Sequence, residues 1–363
     1  MAKHLYLHVP FCRSICYYCD FCHIVKNEAV EQSWLTALQK EFSLRTFDCD
    51  LETIYIGGGT PSALSLSRLE QVFLLLSPYT EYLQEYTIEL NPETVTDELV
   101  QLLVKYGVDR VSMGLQTSDD ALLQSIGRHH TYRDVQQACK CLRHWGIDNI
   151  SLDLMYGLPG QTMAMLQQSV LDALALAPKH LSLYSLTIEE NSVFGKRGVK
   201  SVDPDLDADM YTWICEELPK HGFEHYETSN FALPHYRSLH NTAYWEYKDF
   251  YGVSCGASGK EGHMRYDNCR NIYSYCADPM QREEIFLDRD DEQFEMVMMS
   301  LRMDRGLDLK SYEQKFGESY QVRFGSASER LVEQGLLAYT EDGYVRATAR
   351  GAFILNSVLV ELM

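Results

Sequence analysis

From its start to about residue 230 the chain alternates short apolar runs with longer amphipathic segments. The short runs are rich in β-branched and aromatic residues, which favours strands, and the longer segments carry apolar residues at helical spacing. Such alternation is typical of parallel strands joined by crossover helices, in an open sheet or in a barrel. The six predicted strands begin near His4, Leu51, Tyr86, Asp109, Asn149 and His180.

Polar residues and glycines fall at the carboxyl end of each predicted strand. In parallel α/β folds these ends meet on one side of the sheet, where ligands bind. The pattern therefore predicts one shared rim that collects the unusual residues. They are Cys12, Gly57, Gly58, Gly59, Thr60, Glu89, Asn91, Gln116, Asp153, Tyr184 and Glu189.

After residue 230 the regular alternation stops. An aromatic, turn-rich passage over 231–289 has no clear period and is predicted to be an elaborated loop region. Helical periodicity returns from about residue 290. Within 290–363 the helices are followed by a short hairpin pattern and a last apolar helix, and helices with such a hairpin resemble a winged-helix module. We therefore predict three regions: an α/β unit over 1–230, the loop-rich region, and a C-terminal helical domain.

The charge and cysteine content restrict the functional classes. The chain has 52 acidic and 32 basic residues, a formal charge of −20, which repels nucleic acid and anionic membrane surfaces. It shows no secretory leader and no run of about 18 apolar residues, so we expect a cytoplasmic protein without a transmembrane segment. In that compartment thiols stay reduced, so clustered cysteines are expected to be metal ligands.

Cys12, Cys16 and Cys19 supply three thiolates within eight residues, directly after a predicted strand. Three ligands would leave one iron of a [4Fe–4S] cube open. A zinc site would need a fourth ligand, for which Cys22 or His23 is available. An electron-transfer cluster also remains open, although the ferredoxin spacing that starts at Cys16 lacks its final Cys-Pro.

These residues resemble the radical S-adenosylmethionine (SAM) superfamily. The resemblance rests on the Cys-x3-Cys-x2-Cys spacing, on Tyr18 before the third cysteine, and on the run GGGTP that starts at Gly57. It implies a partial (βα)6 barrel, a [4Fe–4S] cluster on the three cysteines, and SAM bound to the open iron. In that superfamily one electron from the reduced cluster cleaves the cofactor.

The resemblance also implies which residues surround SAM. Arg128 is a candidate for the methionine carboxylate, because a guanidinium can form two parallel hydrogen bonds with it. The alternative for Arg128 is a solvated position at a helix start, and the alternative for Tyr6 is an ordinary strand aromatic. The expected SAM residues are Tyr6, Tyr18, Gly58, Gly59, Thr60, Glu89, Gln116, Arg128 and Asp153.

Within the superfamily, the whole chain resembles the branch that contains oxygen-independent coproporphyrinogen III dehydrogenase and the haem chaperones of the HemW family. The dehydrogenase has a further cysteine two residues after the third cluster cysteine, whereas this chain has Phe21 there, as the chaperones do. A His-Asn-x-x-Tyr-Trp motif also matches the chaperones and implies haem contact. Its residues are His240, Asn241, Tyr244 and Trp245.

Two departures limit this match: Cys22 stands where the chaperones usually have another residue, and the tail motif that starts at Ala347 fits loosely. We expect Cys22 to be no cluster ligand. The other cysteines are interpreted as packing or incidental thiols. They are Cys49, Cys139, Cys141, Cys215, Cys255, Cys269 and Cys276.

The resemblance implies a haem chaperone that binds the cluster, SAM and haem and delivers haem to acceptor proteins. Its expected partners also include an electron donor for the cluster, a second copy in a homodimer, and membrane proteins in transient contact. The rival hypothesis is the dehydrogenase, which converts two propionates of coproporphyrinogen III to vinyl groups. A third hypothesis, a nucleic-acid-modifying radical SAM enzyme, is disfavoured by the negative charge.

Overall fold

The computed structural model describes all 363 residues. The strands are β1 (His4–Val9), β2 (Phe11–Cys12), β3 (Ile24–Val25), β4 (Thr53–Gly58), β5 (Glu85–Leu90), β6 (Arg110–Gln116), β7 (Asn149–Tyr156), β8 (His180–Ser185), β9 (Glu224–Glu227), β10 (Asn230–Ala232), β11 (Phe250–Val253), β12 (Ser258–Glu261), β13 (Met264–Asn268), β14 (Arg282–Phe286), β15 (Leu307–Asp308), β16 (Leu337–Tyr339) and β17 (Tyr344–Ala347).

The helices follow the same chain order. They are α1 (Glu28–Leu44), α2 (Leu66–Leu76), α3 (Asp97–Lys105), α4 (Asp120–Ser125), α5 (Tyr132–His144), α6 (Met163–Ala175), α7 (Val193–Lys196), α8 (Pro204–Glu217), α9 (Leu239–Trp245), α10 (Ile272–Ala277), α11 (Arg289–Ser300), α12 (Leu309–Phe316), α13 (Tyr320–Glu333), α14 (Ala349–Phe353) and α15 (Leu355–Leu362).

One twelve-stranded sheet organises most of the chain. Its order is β14-β13-β12-β11-β1-β4-β5-β6-β7-β8-β10-β9. The six strands predicted from the sequence lie side by side and pair in parallel, from β1 through β8. The strand order does not return to its start, so the sheet is an incomplete barrel and the predicted (βα)6 architecture is confirmed.

Each of the six parallel strands has one apolar and one polar face. On β6, Val111, Met113 and Leu115 belong to the main core. The alternate residues Arg110 and Gln116 line the cavity enclosed by the curved sheet. Because side chains alternate across a strand, one regular pattern builds both the packed layer under the helices and the polar lumen.

The prediction of a loop-rich region over 231–289 was wrong in one respect. This segment contributes β11, β12, β13 and β14 to the large sheet, with β11 parallel to β1. The strands are only four or five residues long, and glycines such as Gly252 and Gly259 interrupt their pattern. Short strands of this kind carry too few residues to show a period.

The C-terminal region has its own hydrophobic core, which includes Tyr312, Tyr320, Phe324 and Val358. Helices α11 to α13 precede the β16–β17 hairpin, and β15 completes a three-stranded sheet. This is the predicted order of helices followed by a short hairpin. No helix of the chain has the length and apolar character needed to cross a bilayer.

Candidate functional site

The three cysteines lie on one loop at the carboxyl ends of the parallel strands. Cys12 ends β2 and is buried, whereas Cys16 and Cys19 are half-buried. All three line a single cavity of about 380 Å³ that continues into the lumen. Backbone hydrogen bonds from Tyr17 to Ile126 (3.0 Å) and from Phe194 to Tyr17 (2.8 Å) fix the loop against the barrel.

The spacing of the thiols suits a cluster better than a single zinc ion. A tetrahedral site with Zn–S bonds of 2.3 Å would bring the sulfur atoms within about 3.8 Å of one another. No three potential ligand atoms from this loop, including those of Cys22 and His23, lie within 4.8 Å of one another. An iron–sulfur cube takes each thiolate on a different iron atom, so Cys12, Cys16 and Cys19, which line one cavity, need not converge on a single ion to hold it.

Desolvation also affects the thiols of this loop. Burial raises the pKa of Cys12 to about 11 and the pKa of Cys19 to about 12. Both thiols are therefore neutral near pH 7 in the chain alone. Bound iron cations would stabilise the thiolate forms, so we expect loading of the cluster to release protons.

The glycine run after β4 brings backbone against the cysteine loop. A Cβ atom on Gly59 would lie 3.0 Å from Cys12 Sγ and 2.8 Å from the carbonyl oxygen of Phe11. Gly58 has a φ of +109°, and a Cβ there would lie 2.6 Å from the His8 ring. Larger residues would therefore push the cysteine loop away from the strand ends.

Glu89 and Asp153 provide two carboxylates on the lumen wall. Glu89 accepts hydrogen bonds from the Tyr55 hydroxyl (2.8 Å) and the Gly58 N–H (3.1 Å). Asp153 accepts from the Ser112 hydroxyl (3.0 Å). Desolvation raises the pKa of Glu89 to about 7 and also raises the pKa of Asp153. Burial thus makes both carboxyls hold a proton more readily, and their oxygen atoms face the lumen, where a ligand hydroxyl or amino group could reach them.

Gln116 ends β6, the strand between those of Glu89 and Asp153, and Arg128 lies against Gly114 of the same strand. Arg128 donates to the Tyr18 hydroxyl (3.2 Å) and to Asn91 Oδ1 (2.9 Å). Gly114 provides the space, since a Cβ there would lie 2.7 Å from an Arg128 nitrogen. Gln116 is held at a φ of +64°, where β6 and β7 shift register. A non-glycine residue in this conformation is costly and is typical of functional sites.

The cavity brings together most of the residues predicted from the sequence. Tyr6 is an exception, because its hydroxyl is hydrogen-bonded to His8 (2.9 Å) beside the cavity. His240, Tyr244 and Trp245 also do not line it. The predicted residues that do are Cys12, Cys16, Cys19, Tyr18, Gly58, Gly59, Thr60, Glu89, Gln116, Arg128, Asp153 and Asn241.

The His240 motif forms α9, which closes the opposite end of the lumen. His240 is fully buried, and its ring is hydrogen-bonded to the hydroxyls of Thr53 (2.7 Å) and Tyr244 (2.7 Å). Burial lowers the pKa of His240 well below its usual value, which keeps the ring neutral. In this conformation neither ring nitrogen is free for a metal ion. Only Asn241 of the motif faces the cavity.

The lumen also contains residues that the sequence interpretation did not assign to the site. The sequence feature that could have identified them is the alternation of polar and apolar residues within runs such as HLSLYS and RVSMGLQ. A strand that is apolar on both faces would not show it. The additional lumen residues are Tyr55, Arg110, Ser112 and Ser182.

Cys22 points away from the other cysteines of its loop. Its thiol lies 3.8 Å from Cys255 Sγ and donates to the carbonyl oxygen of Arg270 (3.0 Å). It does not line the cavity that contains the three predicted cluster ligands. This placement supports the prediction that Cys22 is no ligand.

Comparison with known proteins gives a family for two parts of the chain. Residues 6–173 match the model of the radical SAM superfamily. Residues 287–354 match the model of the HemN C-terminal domain. The first match contains the cysteine loop and the residues of the lumen wall through β7.

Relatives similar to the chain over almost its whole length are named as haem chaperone HemW. The protein from Lactococcus lactis is 37% identical over 99% of this chain and 96% of its own length. The protein from Bacillus subtilis is 36% identical over 98% of each chain. The protein from Escherichia coli is 31% identical over 98% of this chain and 96% of its own.

Among solved structures, the fold is similar to that of coproporphyrinogen III oxidase (HemN) from Escherichia coli, a radical SAM enzyme. The TM-score is 0.85, with coverage of 99% of this chain and 90% of the other, and the sequences are 22% identical. At that identity the similarity shows the shared fold. The matches over the full length and the cysteine-lined lumen together establish that the chain belongs to the HemW family of the radical SAM superfamily.

Proposed function

We propose that this protein is a haem chaperone of the cytoplasm, which binds haem and passes it to acceptor proteins. The observation that carries the proposal is the full-length similarity to several HemW proteins, 30–37% identical in five of them. Phe21 supports it, because it is 65% exposed at the mouth of the cavity, where the dehydrogenase would have a cysteine. The acceptors, an electron donor, transient membrane-protein contacts and a homodimer remain predictions.

In this proposal Cys12, Cys16 and Cys19 would hold a [4Fe–4S] cluster, and the lumen would bind SAM. When bound, the pair would supply one-electron chemistry to the site. Arg128 would fix the carboxylate of the methionine moiety, and Glu89 and Asp153 would accept hydrogen bonds from amino and hydroxyl groups of the cofactor. The lumen residues thus orient the cofactor and exclude water from it.

A role of the α9 motif in haem binding requires a change of conformation. Iron ligation by His240 would require its ring to leave Thr53 and Tyr244, because both nitrogens are already hydrogen-bonded. The proposal therefore includes an opening of α9 when haem binds. Tyr244 and Trp245 would then be available to pack against the macrocycle.

Haem titration of the anaerobically reconstituted full-length protein tests this role. We expect a Soret band for the wild type and at least about tenfold weaker binding for His240→Ala, since an axial ligand is lost. His263→Ala is the matched control, because His263 is an exposed histidine outside the lumen. Equal haem affinity of the wild type and the His240→Ala variant would contradict the assignment.

The alternative function is the dehydrogenase reaction. It is considered because the chain shares its fold with HemN. Anaerobic incubation with coproporphyrinogen III, SAM and a reductant separates the two. We expect no protoporphyrinogen to form. Its formation at a catalytic rate, lost in the Cys16→Ala variant, would replace the chaperone proposal with the enzyme.

A further inference from the structure

One strongly polar group in the lumen has no partner. Arg110, the first residue of β6, is 1% exposed and lines the cavity. Its Nε and Nη1 atoms are buried and donate to no acceptor. An arginine side chain cannot lose its charge in a protein, and an unpaired buried charge costs several kcal/mol. A buried guanidinium that faces a cavity and has no hydrogen-bond acceptor at Nε and Nη1 therefore indicates an anionic ligand.

The surrounding carboxylates do not satisfy Arg110. Glu85 is the carboxylate that acts on it most strongly. Both oxygens of Glu85 are occupied at the start of α9, where they accept from the Leu239 N–H (2.7 Å), the His240 N–H (3.1 Å) and the Ser238 hydroxyl. Asp153 accepts from Ser112 instead. The guanidinium remains free to bind an incoming oxyanion.

The position of Arg110 distinguishes its ligand from the methionine carboxylate of SAM. Arg110 and Gln116 are at opposite ends of β6, which at about 3.3 Å per residue separates their Cα atoms by about 20 Å. Arg128, the proposed partner of the methionine carboxylate, lies at the Gln116 end. Arg110 lies at the floor of the lumen, and Asn241 of the α9 motif lines the same cavity.

The size of the cavity restricts the ligand further. A volume of about 380 Å³ is at the small end of ligand pockets, so it has room for one cofactor and a slender arm of a second molecule. A carboxylate on a short aliphatic arm suits a guanidinium, since the two planar groups can form parallel hydrogen bonds. The tetrapyrrole of the proposed function carries such arms as propionates.

We infer that Arg110 binds a propionate carboxylate of the tetrapyrrole whose macrocycle contacts the α9 motif at the floor of the lumen. This inference rests on the proposed function, because it takes haem as the ligand of that motif. It assigns two separate tasks to the floor: the motif contacts the macrocycle and its iron, and Arg110 recognises the acidic side chain.

An iron-free porphyrin tests carboxylate recognition without iron ligation. We expect the full-length protein to bind protoporphyrin IX at least about tenfold more tightly than its dimethyl ester, as expected for one charge-assisted hydrogen-bonded pair. Arg110→Gln should bind the acid and the ester equally. Arg45→Gln is the matched control, since Arg45 is a largely buried arginine that pairs with Glu41 outside the lumen. That variant should keep the preference for the acid.

Three results would overturn the inference. They are equal binding of acid and ester by the wild type, a preference for the acid that survives in Arg110→Gln, and no binding of the acid at all. The wild-type comparison holds even where the Arg110 variant folds poorly. Wild-type protein that fails to bind haem but keeps an Arg110-dependent preference for the acid would refute the haem proposal and leave the carboxylate site standing.

Discussion

The two ends of the lumen are built from the same six strands but in opposite ways. At the carboxyl ends, three thiols and the glycines Gly58 and Gly59 surround open space. At the amino ends, α9 closes the lumen. Its His240 ring is hydrogen-bonded to Thr53 and to Tyr244 of the same helix, and its Leu239 N–H donates to Glu85. The rim is prepared to receive a ligand without rearrangement, whereas the floor must first give up hydrogen bonds.

This difference separates the two binding events of the proposed function. Ligands at the rim meet preformed groups, so replacing a single side chain there should directly weaken their binding. A ligand can bind at the floor only after α9 has opened. Its apparent affinity is therefore reduced in proportion to the small population of the open state.

The largest effect is expected at the rim, for Cys16→Ala. Cys16 is half-buried, so its loss should barely change the stability of the apo chain. Loss of one of three ligands should abolish the iron–sulfur absorption after anaerobic reconstitution, and SAM binding with it. Cys49→Ala, at an exposed cysteine, is the control. A variant at position 16 that still forms a SAM-binding cluster would show that the rim is assigned wrongly.

At the floor we expect a large loss of stability for Glu85→Ala. The carboxylate accepts hydrogen bonds from two backbone N–H groups and one hydroxyl at the start of α9, and its removal leaves these donors buried without partners. We expect the free energy of unfolding to fall by about 4 kcal/mol, measured by denaturant titration.

The same variant should bind haem faster, because a loosened α9 exposes His240 more often. Glu31→Ala removes another buried carboxylate, which pairs with Arg68 outside the lumen, and provides the control. It should lose stability without a gain in the haem association rate. An unchanged rate in Glu85→Ala would show that haem binds without opening the floor.

The sequence predicted the rim far better than the floor. Cysteine spacing and a glycine run are local signals, and parallel strands bring their carboxyl ends together by topology. Closure of the floor depends on contacts that no local pattern contains. His240 bonds Thr53, which is 187 positions earlier in the chain, and the Leu239 N–H donates to Glu85, 154 positions earlier.

Arg110 shows a different reason for a missed residue. Its strand, RVSMGLQ, alternates polar and apolar positions, so the signal was present in the sequence. A charged residue at the start of a strand is commonly solvated, however, and its burial becomes visible only once α9 covers that end. The role of a lumen residue therefore depends on its depth along the strand as well as on its face.

The smallest predicted effect is the pH dependence that Glu89 adds at the rim. Desolvation raises the pKa of Glu89 from 4.5 to about 7. Between these values the folded chain holds a proton that the unfolded chain has released. The stability that Glu89 contributes in acid is therefore lost as the pH rises through 7, by at most about 3 kcal/mol.

Glu89→Gln should remove this slope. The free energy of unfolding, measured from pH 4.5 to 7.5, should therefore decline less steeply for the variant than for the wild type. Glu227→Gln should flatten the curve similarly, because burial raises the pKa of Glu227 to about 7 as well. Only the Glu89 variant should also bind SAM more weakly, since Glu227 lies outside the cavity. Equal SAM affinity in the two variants would show that Glu89 does not contact the cofactor. The pH dependence of stability that Glu89 causes would then be unrelated to SAM binding.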